Sequence, residues 1–580
     1  MNTDDSHTEH GSLVPRLSTN TIQLLLLLSL ASLLLLIGLG DMGLTDRDEG
    51  SNAEAAREML ETGDWISPTL NYEPRYAKPA FVYWVISSIY ALFGINEFTA
   101  RLPSALFGMA LLILQYGFVN RMLGSTVALF SSLMLLLNAE FVGIHRMVLT
   151  DPELVFFTTL ATYSFWLGFA GEEKDPRWMW GFYIGMGLAM LAKGPVGILI
   201  PLLAVIPYLT LTRRWRAFFA EGKPLTGWLL FLLIAAPWYV AMFSIHGSEY
   251  AAAAQANTTG RFANPMEGHG GIWLFFIFIP VVLVGFFPWS GLLPVAVYQQ
   301  LKPWKEYRSG ARSGKGEDGL LLFCSLWIMA ILLFFTISAT KLPHYILPLF
   351  PAASLMAAVL WSRFLIEPEP RGLGLSLGIL VLVGYLLGIG LVALPGIFET
   401  FKDKIAVEFP AAGQLAIGPT PVIAGVMLFV GVIAIRMTAM NEHRRPIAFW
   451  IAGGLIAGLL VMIILFPLPH FSKYFLTPPQ ELAKIAGLNL GEEDHLIQFG
   501  RKRPSLSFYA QRKVHFLGPN ENKKLLELVE SGKLTMLILQ EHLLSRLPTE
   551  VAQFPVLLRH HGFVLLSSQS FVAPADSNSP

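Results

Sequence analysis

The residues of this chain that could do chemistry lie at the ends of long apolar segments. Charged groups are costly inside a bilayer, so ionisable side chains beside such segments indicate a binding or catalytic site. Carboxylates that converge with lysines at one membrane surface suit a site that binds a lipid phosphate and transfers protons beside it. The residues in question are Asp46, Asp48, Glu49, Glu140, His145, Asp151, Lys193, Arg261, His269, Lys341 and His344.

The composition indicates that these residues belong to a multi-span membrane protein. Hydrophobic residues make up 54% of the chain and charged residues only 14%, whereas about 25% of a soluble protein is charged. The single cysteine, Cys324, excludes an intrachain disulfide and a cysteine-rich metal site. Residues 1–20 are polar and no small-residue cleavage pattern follows the first apolar run, so we expect that run to be a retained helix.

Thirteen apolar segments approach the roughly 20 residues that a membrane-spanning helix needs. We therefore expect about thirteen transmembrane helices, joined by short loops that bring the ionisable residues together. The segments are 22–40, 103–119, 125–143, 153–170, 178–192, 194–211, 227–245, 272–297, 319–337, 344–363, 374–394, 419–437 and 448–467.

A further apolar stretch, Pro79 to Gly94, decides the topology. If it crosses the membrane, the basic loops fall outside; if it lies at the interface, they fall inside, as the positive-inside rule favours. Its aromatic residues also suit an amphipathic helix at the headgroup level. We therefore expect an interfacial helix, with a short spanning helix as the alternative. The basic residues that decide the choice are Arg121, Lys174, Arg177, Arg213, Arg214, Arg216, Lys302, Lys305, Arg308, Arg312, Lys315, Arg436, Arg444 and Arg445.

This topology places the N-terminal tail, residues 1–20, inside and the C-terminal residues 468–580 outside. The C-terminal segments "HLIQFG", "KVHFLG" and "LTMLILQ" predict strands, and "PSLSFYAQ" and "NKKLLELVES" predict helices. We expect a small α/β domain there, after a helical membrane domain over residues 21–467. Residues 41–102 form the first external loop.

Each candidate residue also has a simpler structural interpretation. Ser51 and Glu54 form a capping-box pattern, so Asp48 and Glu49 could merely complement the dipole of a surface helix that starts near Asn52. Asp151 precedes Pro152 at a predicted helix start. Lysines at span ends commonly extend to the interface, and single histidines are more often structural than metal ligands. No metal-binding spacing such as HExxH occurs, so the sequence identifies no certain cofactor, although a divalent cation is conceivable.

The ordered motifs of the chain resemble a known family. The stretch from "TDRDEGSNAEAAREMLETGDWISPTL" to "YAKPAFVYWVISSIYALFGINEFTARLPSAL" is similar to the first external loop of the bacterial aminoarabinose lipid A transferases, which are GT-C glycosyltransferases related to protein O-mannosyltransferases. The motifs "HRMVLTDPEL", "LAKGPVG", "RFANPMEGHGG", "FFPW" and "ISATKLPHYILPLFPA" extend the resemblance over about residues 20–470. It implies thirteen spans, juxtamembrane helices in the first loop and an external C-terminal domain.

The resemblance also implies roles for individual residues. Asp48, paired with Glu49, would be the catalytic carboxylate, and Asp151 matches a second external aspartate of the family. Lys78 of the Lys-Pro dipeptide would hold the donor's lipid phosphate. Further donor-binding candidates are Lys193, Lys341, Arg261 and Tyr345, and the one metal-ligand candidate is His269.

Two departures from the family pattern leave the substrates open. The family commonly reads Asp-Glu-x-Arg-Tyr, but Ser51 stands here where its arginine is expected, and Ala77 replaces a glutamate before Lys78. The resemblance implies an inner-membrane enzyme that moves a sugar, 4-amino-4-deoxy-L-arabinose or another, from undecaprenyl phosphate to lipid A or another envelope acceptor on the periplasmic side. Transfer to protein serine or threonine is one alternative, and a lipid or sugar flippase is another. We expect membrane lipids as partners and no nucleic acid.

Overall fold

The computed structural model describes residues 18–264 and 275–569, which are mostly helical. Residues 1–17 of the predicted N-terminal tail and the metal-ligand candidate His269 lie outside the described residues.

The first part of the chain, to residue 264, contains twelve described α-helices and one β-hairpin. The hairpin strands β1 (Thr69–Leu70) and β2 (Glu73–Pro74) lie between the second and third helices. The helices are α1 (Thr19–Leu36), α2 (Asp48–Thr62), α3 (Phe81–Phe93), α4 (Glu97–Leu123), α5 (Ser125–Leu136), α6 (Ala139–Ile144), α7 (Asp151–Phe165), α8 (Trp178–Lys193), α9 (Val196–Leu211), α10 (Trp215–Glu221), α11 (Pro224–Gln255) and α12 (Arg261–Ala263).

From residue 275 the helical bundle continues to Phe471. Its helices are α13 (Phe278–Gly285), α14 (Leu293–Leu301), α15 (Trp304–Ser309), α16 (Gly316–Ile337), α17 (Phe350–Ile366), α18 (Leu373–Glu408), α19 (Thr420–Met440), α20 (Arg445–Leu465) and α21 (Pro467–Phe471). A short 3₁₀ helix, Pro343–Leu349, leads into α17.

Eight helices of the described residues, some with the turns that continue them, are long and apolar enough to cross a membrane: α1, α4, α11 and α16 to α20. A ninth results if Phe278–Gly285 and Trp289–Ser309, which meet at 117°, form one span. The helix α3 has 13 residues and is about 20 Å long at 1.5 Å per residue, less than the hydrocarbon core of a bilayer. This length agrees with the predicted interfacial helix, and the count of thirteen spans stays a prediction.

The loops predicted to lie inside meet at one end of the bundle. The guanidinium of Arg214 donates hydrogen bonds to the backbone carbonyls of Phe169 and Ala170, at 3.0 and 2.9 Å. The Tyr208 hydroxyl donates to the carbonyl of Gly314 at 2.6 Å, which brings the loop before α16 to the same place. The segments that carry Asp48, Lys78 and Asp151 meet elsewhere, around one pocket.

The C-terminal part is a five-stranded sheet with helices on both faces. Its strands are β3 (His495–Phe499), β4 (Val514–Leu517), β5 (Thr535–Gln540), β6 (Val556–His560) and β7 (Phe563–Ser567), in the order β4-β3-β5-β7-β6. Parallel pairing joins β4, β3 and β5, whereas β7 is antiparallel to both of its neighbours. The helices are α22 (Thr477–Asn489), α23 (Ser505–Ala510), α24 (Asn522–Val529) and α25 (Thr549–Ala552).

The predicted α/β domain is confirmed, with all three predicted strands and both predicted helices. Apolar side chains on each face of the sheet form a separate core, one around Leu496 and Ile538 and the other around Ile497 and Leu537. Its helix α23 packs on α2 of the first loop. The sheet domain therefore rests directly on the segment that begins with Asp48.

Candidate active site

A narrow pocket gathers most of the predicted site residues. It is bounded by the start of α2, the loop before α3, the start of α7, the end of α8, the turn before α17 and α12. These elements are far apart in sequence, and only the folded bundle brings their ends together. The residues that line the pocket are Asp48, Asn52, Lys78, Leu149, Thr150, Asp151, Lys193, Arg261, Leu342, His344 and Tyr345.

Asp151 and Lys193 form an ion pair in this pocket. Asp151 is the first residue of α7 and is only 2% exposed, and Lys193 is the last residue of α8. The Lys193 ammonium donates to both carboxylate oxygens of Asp151, each at 2.6 Å. The Nε2 atom of His344 lies 3.9 Å from one of these oxygens, and Lys193 Nζ lies 5.4 Å from the centre of the Tyr345 ring. Asp151 therefore neutralises and orients Lys193. Because both of its carboxylate oxygens accept hydrogen bonds from Lys193, Asp151 is poorly available as a base.

Asp48 has a different environment from Asp151. It is the first residue of α2 and is exposed to solvent, where it lines the pocket. Within the described residues, its carboxylate makes no ion pair and accepts no hydrogen bond, in contrast to both Glu49 and Asp151. A free carboxylate beside cationic groups can accept a proton from an incoming hydroxyl group.

Lys78 lies in the loop between β2 and α3, where the following Pro79 precedes the helix. Burial and the nearby charge of Lys193 lower the pKa of Lys78 to about 8, although Asp48 and Asp151 oppose this shift. The pocket contains three lysine or arginine side chains against two carboxylates, because Arg261 joins the two lysines. A phosphate that enters the pocket would relieve the mutual repulsion of the cations, and Lys78 would be more fully protonated beside it.

Two other predicted residues do not line the pocket. Glu49 is buried beneath the start of α2, where Arg101 of α4 donates to its two oxygens at 2.6 and 3.1 Å. The amide and hydroxyl of Thr45 also donate to it, at 2.8 and 3.0 Å. Burial would raise the pKa of Glu49, but Arg101 and Thr45 hold it below its usual value. The Lys341 ammonium instead donates to the backbone carbonyl of Ser338.

Three residues that line the pocket carry a weaker signal in the sequence. Asn52 lies one helical turn after Asp48, and its side chain donates to the carbonyl of Val148 at 3.0 Å, which joins α2 to the loop before α7. His344 was visible as an ionisable residue at a span end, and only its approach to Asp151 makes it a candidate. Thr150 directly precedes Asp151, the first residue of α7.

The described residues contain no group of three or more histidine, cysteine, aspartate or glutamate side chains arranged to hold a metal ion. The predicted metal ligand, His269, lies outside them. A divalent cation at this site therefore stays a prediction that rests on the resemblance alone.

Comparison with known protein families places this chain among glycosyltransferases. The family model of the dolichyl-phosphate-mannose-protein mannosyltransferases matches residues 27–251. An undecaprenyl phosphate-alpha-4-amino-4-deoxy-L-arabinose arabinosyl transferase of Pseudomonas fluorescens Pf0-1 is 31% identical over 501 residues, which cover 83% of this chain and 84% of the relative. The corresponding transferase of Edwardsiella ictaluri is 31% identical over 420 residues, with 72% and 71% covered.

Solved structures show the same fold. The crystal structure of ArnT from Cupriavidus metallidurans bound to undecaprenyl phosphate is similar with a TM-score of 0.76 and 23% identity, and the match covers 94% of this chain and 98% of that one. An oligosaccharyltransferase of Archaeoglobus fulgidus is more distant, with a TM-score of 0.52 and 10% identity over 91% of this chain and 70% of that one. From the sequence relatives, this chain belongs to the family of undecaprenyl phosphate-alpha-4-amino-4-deoxy-L-arabinose arabinosyl transferases.

Proposed function

We propose that this protein transfers a sugar from undecaprenyl phosphate to lipid A or another envelope acceptor, on the periplasmic side of the inner membrane. The relatives named above transfer 4-amino-4-deoxy-L-arabinose, and we propose the same sugar as the first candidate donor group. The observation that carries the proposal is the carboxylate of Asp48, which has no partner among the described residues and faces a pocket that also contains Lys78, Lys193 and Arg261.

In the proposed reaction, an acceptor oxygen attacks the anomeric carbon of the donor sugar. The bond between that carbon and the lipid phosphate oxygen breaks, and the phosphate leaves with the bonding electrons. Asp48 orients the acceptor hydroxyl and takes its proton as the new bond forms, which requires an unpaired carboxylate. Asp151 does not take this proton, because it already accepts two hydrogen bonds from Lys193. It orients Lys193 instead.

The cationic side chains stabilise the charge that grows on the departing phosphate. Lys78 and Arg261 have no acidic partner within the described residues, so both can turn to the phosphate. Lys193 is fixed by Asp151 and keeps hydrogen-bonding capacity for a phosphate oxygen, because an ammonium has three donors. Stabilisation of this kind favours the transition state over the bound donor, since the leaving oxygen becomes more negative as the bond breaks.

A second candidate function is transfer to the serine or threonine of a protein. It is favoured by one observation, the match of residues 27–251 to the protein mannosyltransferase family model. The chemistry at the pocket would be the same where the lipid acceptor, like serine or threonine, presents a hydroxyl group to the lipid-phosphate sugar. The two functions differ in the acceptor and therefore in the product.

Mass spectrometry of the cell envelope tests the proposal and separates the candidates. Lipids and glycoproteins are compared between cells that produce the protein, cells that lack it and cells that produce Asp48→Asn. We expect a sugar-modified lipid only in cells with the unaltered protein. A glycoprotein with the same dependence would favour the second function, and no difference between the three samples would contradict both.

A further inference from the structure

We propose that the C-terminal sheet domain forms part of the catalytic apparatus, because Arg503 and Ser505 hold Asp46 and thereby fix the position of Asp48. This inference rests on the proposed function. It makes Arg503 a positioning residue, which acts through Asp46 and touches neither donor nor acceptor.

Both carboxylate oxygens of Asp46 are bound by the sheet domain. The Arg503 guanidinium donates to Oδ2 of Asp46 at 3.1 Å, and the Ser505 hydroxyl donates to Oδ1 at 2.6 Å. Asp46 is two residues from Asp48, and the sequence shows no relation between it and residues more than 450 positions later. The contact therefore joins the sheet domain to the segment that carries the proposed base.

Arg503 is itself held rigidly. Its side chain is 6% exposed, and its guanidinium carbon lies 5.5 Å from the ring centre of Phe409 and 5.4 Å from that of Phe563. Its backbone amide donates to the side-chain oxygen of Gln498, in β3, at 3.2 Å. A guanidinium packed between two aromatic rings has little freedom to follow Asp46, so it can act as a fixed anchor.

The backbone of the Asp48 segment needs such an anchor. Arg47 has φ of 70° and ψ of −105°, an unfavourable conformation for a residue with a side chain. Such residues persist where the surrounding contacts determine the backbone, and they concentrate at functional sites. Here the anchors are Asp46 on one side, bound to Arg503, and Glu49 on the other, bound to Arg101. Asp48 lies between them.

Other contacts also attach the sheet domain to the first loop. The Asn71 side chain exchanges hydrogen bonds with the backbone of Val514 at 2.9 and 2.7 Å, and Gln480 donates to the carbonyl of Leu44 at 2.7 Å. An exposed ion pair joins Lys513 to Glu73 at 2.9 Å. Loss of Arg503 alone therefore leaves the domain attached, and its effect on Asp48 can be measured separately.

The test measures donor binding and turnover of the full-length protein in detergent or lipid nanodiscs. The variants are Arg503→Met, Arg503→Lys and Asp46→Asn, and undecaprenyl phosphate is the binding probe. We expect Arg503→Met to lower kcat at least tenfold while the Kd for undecaprenyl phosphate changes less than twofold. Arg503→Lys should restore part of kcat, and Asp46→Asn combined with Arg503→Met should be little worse than either alone, because both remove the same contact.

Lys513→Ala is the matched control, since it removes an ion pair between the same two parts of the molecule and should leave kcat unchanged. If Arg503→Met does not fold, Ser505→Ala replaces it, with an expected smaller loss of kcat and unchanged donor binding. A kcat within twofold of the unaltered protein for the folded variant would overturn this inference. If transfer survives Asp48→Asn, the assignment of Asp48 as the base fails, and this inference fails with it. Absence of transfer by the unaltered protein would instead contradict the proposed function.

Discussion

The adjacent carboxylates at positions 48 and 49 have opposite surroundings. Asp48 faces the pocket without a partner among the described residues, whereas Glu49 is buried and bound by Arg101 and Thr45. A buried carboxylate that already accepts several charge-assisted hydrogen bonds is held as an anion and has no free lone pair directed at a substrate. We therefore propose that Asp48 acts in catalysis and that Glu49 fixes the start of the helix.

Substitution at these two positions should separate activity from stability. Glu49→Gln leaves the buried charge of Arg101 without its partner, so we expect the free energy of unfolding to fall by about 3–5 kcal/mol. Asp48→Asn breaks no ion pair or hydrogen bond of the described structure, so its thermal unfolding temperature should stay within about 1–2 °C of the unaltered protein, a change below about 0.5 kcal/mol. Thermal unfolding in detergent measures both. Equal unfolding temperatures for the two variants would contradict the structural role of Glu49.

The charge of Lys78 should give donor capture a pH dependence. Burial and Lys193 lower the pKa of Lys78 to about 8, so the free enzyme loses this positive charge as the pH rises through that value. Donor binding through Lys78 is then present below pH 8 and declines above it, and kcat/KM for the donor should fall between about pH 7.5 and 9. Lys78→Arg keeps its charge and should move the decline to higher pH, while Lys78→Ala should weaken donor binding below pH 8 and abolish the decline. A decline unchanged in Lys78→Arg would exclude Lys78 as its cause.

For individual residues, the sequence predicted which side chains line the candidate pocket better than it predicted the ion pairs that hold them. Asp48 and Asp151 could be found because they stand at span ends within recognisable motifs, and Lys78 could be found through the Lys-Pro motif of the family resemblance. The pairing of Glu49 with Arg101 could not, because a contact between residues 52 positions apart depends on how α2 packs against α4. The contact of Arg503 with Asp46 could not be predicted for the same reason, because it depends on how the sheet domain packs on the first loop.

The helix α2 shows where the prediction at the level of elements was wrong. A capping box at Ser51 and Glu54 predicted a surface helix from about Asn52, but the helix begins at Asp48 and most of it is buried. Its run of small residues packs closely against the sheet domain, so that a methyl group on Gly50 would lie 2.7 Å from Cα of Ser505. Ser51 is 4% exposed, so an arginine there would have to displace its neighbours. Arg261 supplies the pocket with a guanidinium from another element.

Gly50→Ala tests this close contact. Alanine normally stabilises a helix relative to glycine, but here the new methyl group meets backbone and side-chain atoms of Ser505. We expect the free energy of unfolding to fall by about 1–3 kcal/mol. Gly454→Ala is the matched control, because α20 leaves open space around that position, and it should be neutral or slightly stabilising. A Gly50→Ala protein as stable as the control would contradict the packing of the sheet domain on α2.

Two strands of the sheet domain were missed for physical reasons. The strand β7 is an unbroken apolar run, "FVLLS", because helices and loops cover both of its faces, so it lacks the alternation that marks a half-exposed strand. Its neighbour β6 lies at the sheet edge and is largely exposed. Neither pattern can be distinguished from a loop or a short helix without knowledge of the pairing partner.

For the whole molecule, the sequence predicted the architecture but not the exact path of the chain through the membrane. Apolar runs identified the long helices because hydropathy is a local property. The bend between Gly285 and Trp289 and the kink at Gly247 inside α11 depend on neighbouring helices, and both make a count of spans from the sequence uncertain. The arrangement of the loops supports the predicted topology better than the span count does, since the basic loops meet in one place and the site residues meet in another.

Cysteine labelling can test the proposed orientation. The natural cysteine, Cys324, is buried and can be replaced by serine. Ser531→Cys then places a thiol on the exposed surface of the sheet domain, and Ser309→Cys places one at the exposed end of α15. In spheroplasts, a membrane-impermeant maleimide should label position 531 directly and position 309 only after the membrane is opened. The reverse pattern would contradict a periplasmic active site.

The central claim is that Asp48 acts as the base in a pocket that binds the donor phosphate through other residues. The most direct measurement is a single-turnover assay with purified protein, an undecaprenyl-phosphate sugar and lipid A as the acceptor, in which undecaprenyl phosphate release and donor binding are followed separately. We predict that Asp48→Asn slows release by at least about 100-fold, as loss of a positioned base typically does, while the donor Kd changes less than about threefold. Release at nearly the unaltered rate would contradict the account.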